Sequence, residues 1–226
     1  MRQTEQTTNR EAGFSLIELL IAMSVMMVIM GAATSLLVGA FSLRAREDQR
    51  SEALSDTRRA LNILSRELAN SGYQLPAGLT YKSAAGSSGV PSNGLIPGDC
   101  DADSVTFVAN LDANVGTGNS DVNGPEEALA YQFVQDGDNG FLVRRDLNPG
   151  GGSQTVANGI DGVQFIYLNA AGADTSADVS QAVRVRITVW TTLDQIGKPG
   201  STSYQAPSQV RLTSDVNLRN VSLGNF

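Results

Sequence analysis

Glu18 is the only ionisable side chain between Phe14 and Leu43, in a run reading FSLIELLIAMSVMMVIMGAATSLLVGAFSL. An ionised carboxylate in such apolar surroundings is costly unless it is paired or protonated, so it calls for a cation or a proton at the same depth. It stands four residues after Phe14, one helical turn on, so the two share a helix face.

The rest of the chain offers little else for catalysis. There is no histidine, which excludes His-based triads, HExxH zinc sites and histidine general bases. The single cysteine, Cys100, has no partner for an intrachain disulfide or a CxxC metal pair, and it reads as a buried or tolerated thiol. Asp99, Asp101 and Asp103 form a D-x-D-x-D run, but an EF-hand loop begun there would want Gly and Glu where Ser104 and Asn110 stand. Two readings stay open for this run: a solvated acidic loop, or a calcium site completed by Asp112, Asn114, Asp121 and Asn123. The triple glycine 150–152 follows Pro149 and precedes no helical pattern, so no phosphate cradle is expected. No Ser-Lys or carboxylate pair is placed for catalysis, and the expectation is a non-enzyme without a cofactor.

The elements that hold these residues follow from periodicity. The run from Phe14 to Leu43 exceeds the ~20 residues a helix needs to cross a bilayer. It is too long for the apolar core of a secretory signal, and the small residue Gly13 lies in front of it rather than behind. No glycine or proline follows until Gly72, and Leu54, Leu61, Leu64 and Leu68 form one stripe with Ala53, Ala60 and Ile63 beside it. One helix from about Phe14 to Asn70 would span roughly 85 Å at 1.5 Å per residue. The stripe reads as domain core in preference to a coiled-coil dimer. Asn70-Ser71-Gly72 is the expected stop, with Pro76 beyond.

Residues 72–103, rich in Gly, Ser and Pro, read as a long connection without regular structure. Strands are expected at SVTFVAN, in a hairpin ALAYQFVQDGDNGFLVRRD turning at Asp136–Gly140, at GVQFIYLN, at AVRVRITVWTT and at SQVRLTSDVNLRN. In the fourth, Val183, Val185, Ile187 and Val189 alternate with Arg184, Arg186, Thr188 and Trp190. The Arg184/Arg186/Trp190 side reads as the solvated face of a sheet, with a partner contact as the rival reading. The fold class is therefore α+β, a long N-terminal helix packed on an antiparallel sheet domain. Net charge is −7, and from Tyr73 onward 15 acids stand against 8 bases, which makes a nucleic-acid partner unsuitable.

Gly13-Phe14-Ser15-Leu16-Ile17-Glu18, behind the short charged leader MRQTEQTTNREAG and heading a long apolar helix, resembles the type IV prepilin signature. The resemblance implies cleavage between Gly13 and Phe14 by prepilin peptidase on the cytoplasmic side, then N-methylation of Phe14. It also implies that Glu18 neutralises the N-terminal amine of a neighbouring subunit during assembly. Charge bias does not set the topology, since Arg2 and Arg10 face Arg44, Arg46 and Arg50 across the span; the family pattern does. The connection after the helix, DADSVTFVAN, VANGIDGVQFIYLN, AVRVRITVWTT and TSDVNLRN are most similar to PilW-type minor pilins, and the J-type pseudopilin of type II secretion shares much of this layout.

On that basis residues 1–13 are a leader removed on maturation and 14–43 a transmembrane and filament-core helix. Residues 44–72 are its amphipathic continuation, and 73–226 a periplasmic or filament-exposed β-rich domain. The implied function is a structural subunit that helps initiate or cap a type IV pilus. Its partners would be prepilin peptidase, other pilins or pseudopilins, an inner-membrane assembly platform and the bilayer. The rival from another class is an uncleaved, single-pass, membrane-anchored binding domain. Two departures stand out: the domain lacks the paired cysteines many pilins use, and the apolar helix lacks proline, with only Gly31 and Gly39 to soften it.

Overall fold

The computed structural model describes residues 14–83, 86–111, 122–137, 139–201 and 204–221. Helix α1 runs unbroken from Leu16 to Leu68, 53 residues. Among the described residues nine strands follow: β1 (Thr80–Ser83), β2 (Gly86–Gly89), β3 (Ser104–Val108), β4 (Ala128–Asp136), β5 (Asn139–Asp146), β6 (Ser153–Asn158), β7 (Gly162–Leu168), β8 (Arg184–Leu193) and β9 (Ser208–Asn217). Every pairing is antiparallel, in the orders β1-β2, β3-β4-β5-β6 and β7-β8-β9. The expected α+β arrangement is present, with three sheets instead of one.

The chain divides into two compact units. One holds the helix as far as Arg46 together with Ile196–Gln205, a segment closed by the Ile196–Gln205 bridge. The other holds the helix from Glu47 onward and all nine strands. In the second unit the stripe is core from Ala60 to Leu68, as periodicity predicted, while Ala53 and Leu54 at its start are only partly buried and lie outside that core. Ala60, Leu61, Leu64 and Leu68 are buried with Tyr131, Leu142, Phe165 and Ile187 in one cluster. Each fully buried leucine contributes about 1.5–3 kcal/mol through loss of its contact with water.

The helix stops where its sequence predicts. Gly72 adopts φ +78°, open to glycine at little cost, and its N–H donates to the Val108 carbonyl at 2.9 Å. Gly94 meets it closely: a Cβ on Gly94 would lie 2.2 Å from the Gly72 nitrogen. Carbonyls in the turn just past the helix find a partner far along the chain. The Asn220 amide donates to Ser71 O at 2.9 Å and to Asn70 O at 3.3 Å.

The connection 72–103 departs from expectation. It contains the β1-β2 hairpin, and Leu95 bridges to Phe107 on β3. Its apolar residues Leu75, Leu79, Tyr81, Val90 and Ile96 pack on a second cluster with Val108, Val122 and Ala128. Strand β3 is thereby covered on both faces, and every residue from Val105 to Val108 is buried, the polar Thr106 included. Buried Asn93 anchors the same connection by donating to the carbonyls of Val179 (2.7 Å) and Ala182 (3.0 Å). Strand β6 was not anticipated, because SQTVAN is polar and outward-facing over most of its length.

One polar tie joins helix and sheet. The Tyr131 hydroxyl on β4 donates to Glu67 Oε2 at 2.7 Å, and Arg144 Nε on β5 donates to the same oxygen at 2.9 Å. Arg144 also reaches Glu126 at 3.1 Å. Burial pushes the Tyr131 hydroxyl pKa up, and the Glu67 carboxylate beside it pushes the same way. For Arg144, burial pulls the other way, but the bond and charge of Glu67 outweigh it and the guanidinium is held more firmly protonated. Removing Glu67 leaves a largely buried cation with only the exposed Glu126. Glu67→Ala is expected to destabilise the folded domain by roughly 2–3 kcal/mol, measured by chemical denaturation of the purified chain.

Candidate functional site

Ser15 and Glu18 shape the start of α1. The Glu18 carboxylate accepts the Ser15 backbone N–H at 3.4 Å, and Leu19 N–H closes the first intrahelical bond on Ser15 O at 3.2 Å. With Ser15 at the cap and Glu18 three residues on, this is half of a capping box, in which the acidic side chain reaches back to an orphan donor. The S-x-x-E spacing is the signal in the sequence that marks it. Phe14, just outside the helix, is 86% exposed, and Gly13 lies outside the described residues.

Up to Leu43 the helix, Glu18 apart, is apolar all round and almost wholly exposed. Ile17, Leu20, Met23, Met27, Ile29 and Leu36 all face outward. The segment is long and apolar enough to cross a membrane. Three of its hydroxyls are satisfied within the helix itself. Ser24 donates to Leu20 O at 2.9 Å, Thr34 to Met30 O at 2.8 Å and Ser42 to Gly39 O at 2.9 Å. Such internal satisfaction is what a helix in lipid, or among other apolar helices, requires.

Other candidate residues take structural places. Cys100 is buried and donates to the Thr106 carbonyl at 3.3 Å; burial pushes its thiol up to about 11. Asp99, Asp101 and Asp103 form no metal cluster, and among the described residues no group of three or more His, Cys, Asp or Glu could hold a metal. Asp112, Asn114 and Asp121 lie outside the described residues. Residues 150–152 form the turn before β6.

The Arg184/Arg186/Trp190 face pairs within its own sheet. Arg186 grips Asp215 with two bonds of 2.7 and 2.9 Å, Arg184 bonds Asn217 at 3.2 Å, and Thr188 meets Thr213 at 3.0 Å. The guanidinium of Arg211 lies 5.3 Å over the Trp190 ring. Sequence reasoning also missed Glu127, which is 1% exposed and accepts N–H groups from Leu111 and Gly124 at 2.9 and 2.7 Å.

The geometry of Cys100 has a chemical consequence. Its folded-state value lies above the ordinary thiol range, so its stabilising contribution is complete below that range and fades as pH rises toward 11. At pH ~8 the native thiol should react with a disulfide reagent at least about a hundredfold more slowly than in denaturant, followed by absorbance.

A family model for the prokaryotic N-terminal methylation motif matches residues 8–34, which span Gly13, Phe14 and Glu18. No curated protein matches the chain. Among solved structures, it is similar to a type IV-like pilin from Thermus thermophilus at 13% identity, over 75% of this chain and 97% of that one, with a TM-score of 0.38. The segment that resembles type IV prepilins is the segment matched, and the chain carries a prokaryotic N-terminal methylation motif at the head of a helix long and apolar enough to cross a membrane.

Proposed function

We propose that this chain is a PilW-like minor pilin, a structural subunit that helps initiate or cap a type IV pilus. Prepilin peptidase cuts it between Gly13 and Phe14, and Phe14 is then N-methylated. The chain waits in the inner membrane with its β-rich domain in the periplasm. The assembly platform then extracts it, and its apolar helix joins those of neighbouring pilins. The observation that carries this reading is the methylation motif over residues 8–34, heading a helix whose apolar side chains face outward on every side.

Cleavage places a positive amine on Phe14 at the start of α1, where the helix dipole is already positive. Glu18 answers that charge from the first turn, and in a filament the amine it meets belongs to an adjacent subunit. Its bond to Ser15 N–H is long at 3.4 Å, so the carboxylate is only weakly committed within its own chain.

N-terminal sequencing and mass spectrometry of the membrane-extracted protein should find a chain starting at N-methyl-Phe14. An intact leader would overturn the proposal. Gly13→Val should accumulate as uncut precursor on immunoblots, and normal processing of that variant counts equally against it. Glu18→Ala and Glu18→Gln should both be cleaved yet both fail to enter sheared filaments. Glutamine can still accept the Ser15 N–H but carries no charge, so incorporation of Glu18→Gln alone would reduce the role of Glu18 to helix capping.

A further inference from the structure

Strand β9 forms one edge of the sheet β7-β8-β9, and among the described residues no strand lies on its far side. The direction of its backbone groups can be read from the end of the ladder. Leu218 N–H donates to Val183 O at 2.9 Å, one step beyond the Arg184–Asn217 pair. Bonded positions alternate along an antiparallel ladder, so the even residues of β9 turn their N–H and C=O groups toward β8. Gln209, Arg211, Thr213, Asp215 and Asn217 turn theirs to the open side, and all five are exposed. Natural sheets usually blunt such an edge with a bulge or a proline. Strand β9 has neither: ten residues pair with β8 without a register shift.

The residue types along this edge mirror one another about Thr213. Arg211 is matched by the opposite charge of Asp215, Val210 by Val216, and Gln209 by Asn217; Leu212 and Ser214, whose backbone groups turn toward β8, are the exception. We propose that β9 pairs antiparallel with β9 of a second copy of this chain, about a two-fold axis through Thr213. In that register each Arg211 stands opposite Asp215 of the other copy, Gln209 opposite Asn217, and Thr213 opposite itself. Outward groups meet outward groups, because odd residues oppose odd residues.

Other registers of the same parity are worse. Centring on Arg211 or Asp215 sets like charges face to face, while centring on Leu212 or Ser214 leaves both charges without an opposite. Oppositely charged cross-strand pairs stabilise and like pairs destabilise, so the charges select the Thr213 register. The pairing is isologous, the form closed dimers take.

The pairing also extends rows that already exist. Within one copy Arg186 holds Asp215, and Arg211 covers Trp190. Across the new boundary these join into a row of Arg186, Asp215, Arg211 and Trp190, with signs alternating among its charged members and the last two contributed by the second copy. The Thr188–Thr213 pair continues into its own mirror image.

The test uses the full-length chain in its membranes with single cysteines and a short homobifunctional thiol reagent, the buried native Cys100 remaining in place. Thr213→Cys should give a covalent dimer of two identical chains. Gln209→Cys and Asn217→Cys alone should link at least about tenfold less, since each then lies about 26 Å from its copy at 3.3 Å per residue. Differently tagged Arg211→Cys and Asp215→Cys chains should link to each other in preference to themselves.

Adding Thr213→Pro to that mixed pair removes an outward N–H without touching the β8 ladder, and should lower the yield about tenfold or more. Near-ultraviolet circular dichroism shows whether that variant is folded. Equal linking at every position, absence of linking at Thr213→Cys, or linking of Thr213→Cys only to a different protein would each overturn the proposal. The pairing does not require cleavage, so a Gly13→Val background should give the same pattern even if the pilin reading fails.

Discussion

The apolar surface of α1 between Phe14 and Leu43 is turned outward around the whole circumference of the helix, with only a few positions near its end partly covered. Each of its leucine, isoleucine and methionine side chains would lose about 1.5–3 kcal/mol by remaining in water instead of an apolar phase. Lipid or other apolar helices must therefore cover it. The local chemistry agrees with that demand: the backbone bonds run without a proline, and Ser24, Thr34 and Ser42 spend their hydroxyls on their own helix. A single charge in the first turn then becomes the one feature that a dry environment cannot ignore.

The same helix changes character after Arg46. From Thr57 to Leu68 it buries one stripe in the core of the β-rich unit, while its arginines and acids take the other faces. Glu67 completes the attachment by accepting bonds from Tyr131 and Arg144 on two adjacent strands. The turn that follows it is locked as well: Gly72 lies against Gly94, and the distant Asn220 donates to the carbonyls of Asn70 and Ser71. Contacts so distant in sequence make the seat of the helix a property of the folded unit, with little owed to local propensity.

Glu18 combines two physical roles that a single substitution to alanine would remove together. As an acceptor for Ser15 N–H it belongs to the start of its own helix; as a carboxylate it belongs to whatever cation shares its depth. The first role needs only an oxygen, and the second needs charge. The distinction matters because, on the proposed cleavage, the helix dipole and a new Phe14 amine would add positive potential at one place, so the charge would be worth more there than at an ordinary helix start.

The sequence by itself determined what depends on neighbours within a turn or two. The apolar span, the leucine stripe, the stop at Gly72, the hairpin at Asp136–Gly140 and the inward set Val185, Ile187 and Val189 were all legible from period and turn chemistry. So was the motif at Gly13–Glu18, because its spacing is local. Tertiary structure decided the rest. The connection 72–103 looked shapeless because its Gly, Ser and Pro residues carry no periodicity, yet Asn93 and its apolar side chains pin it across β3. SQTVAN became β6 because β5 offered a partner edge, and the ladder there absorbs a register shift at Leu142/Val143. The Glu67–Tyr131–Arg144 tie joins residues 64 and 77 positions apart, a separation that no local pattern encodes. Arg211 and Asp215 were visible as charges in a strand, but only the β8 register shows them to lie on an open edge with their backbone groups turned outward.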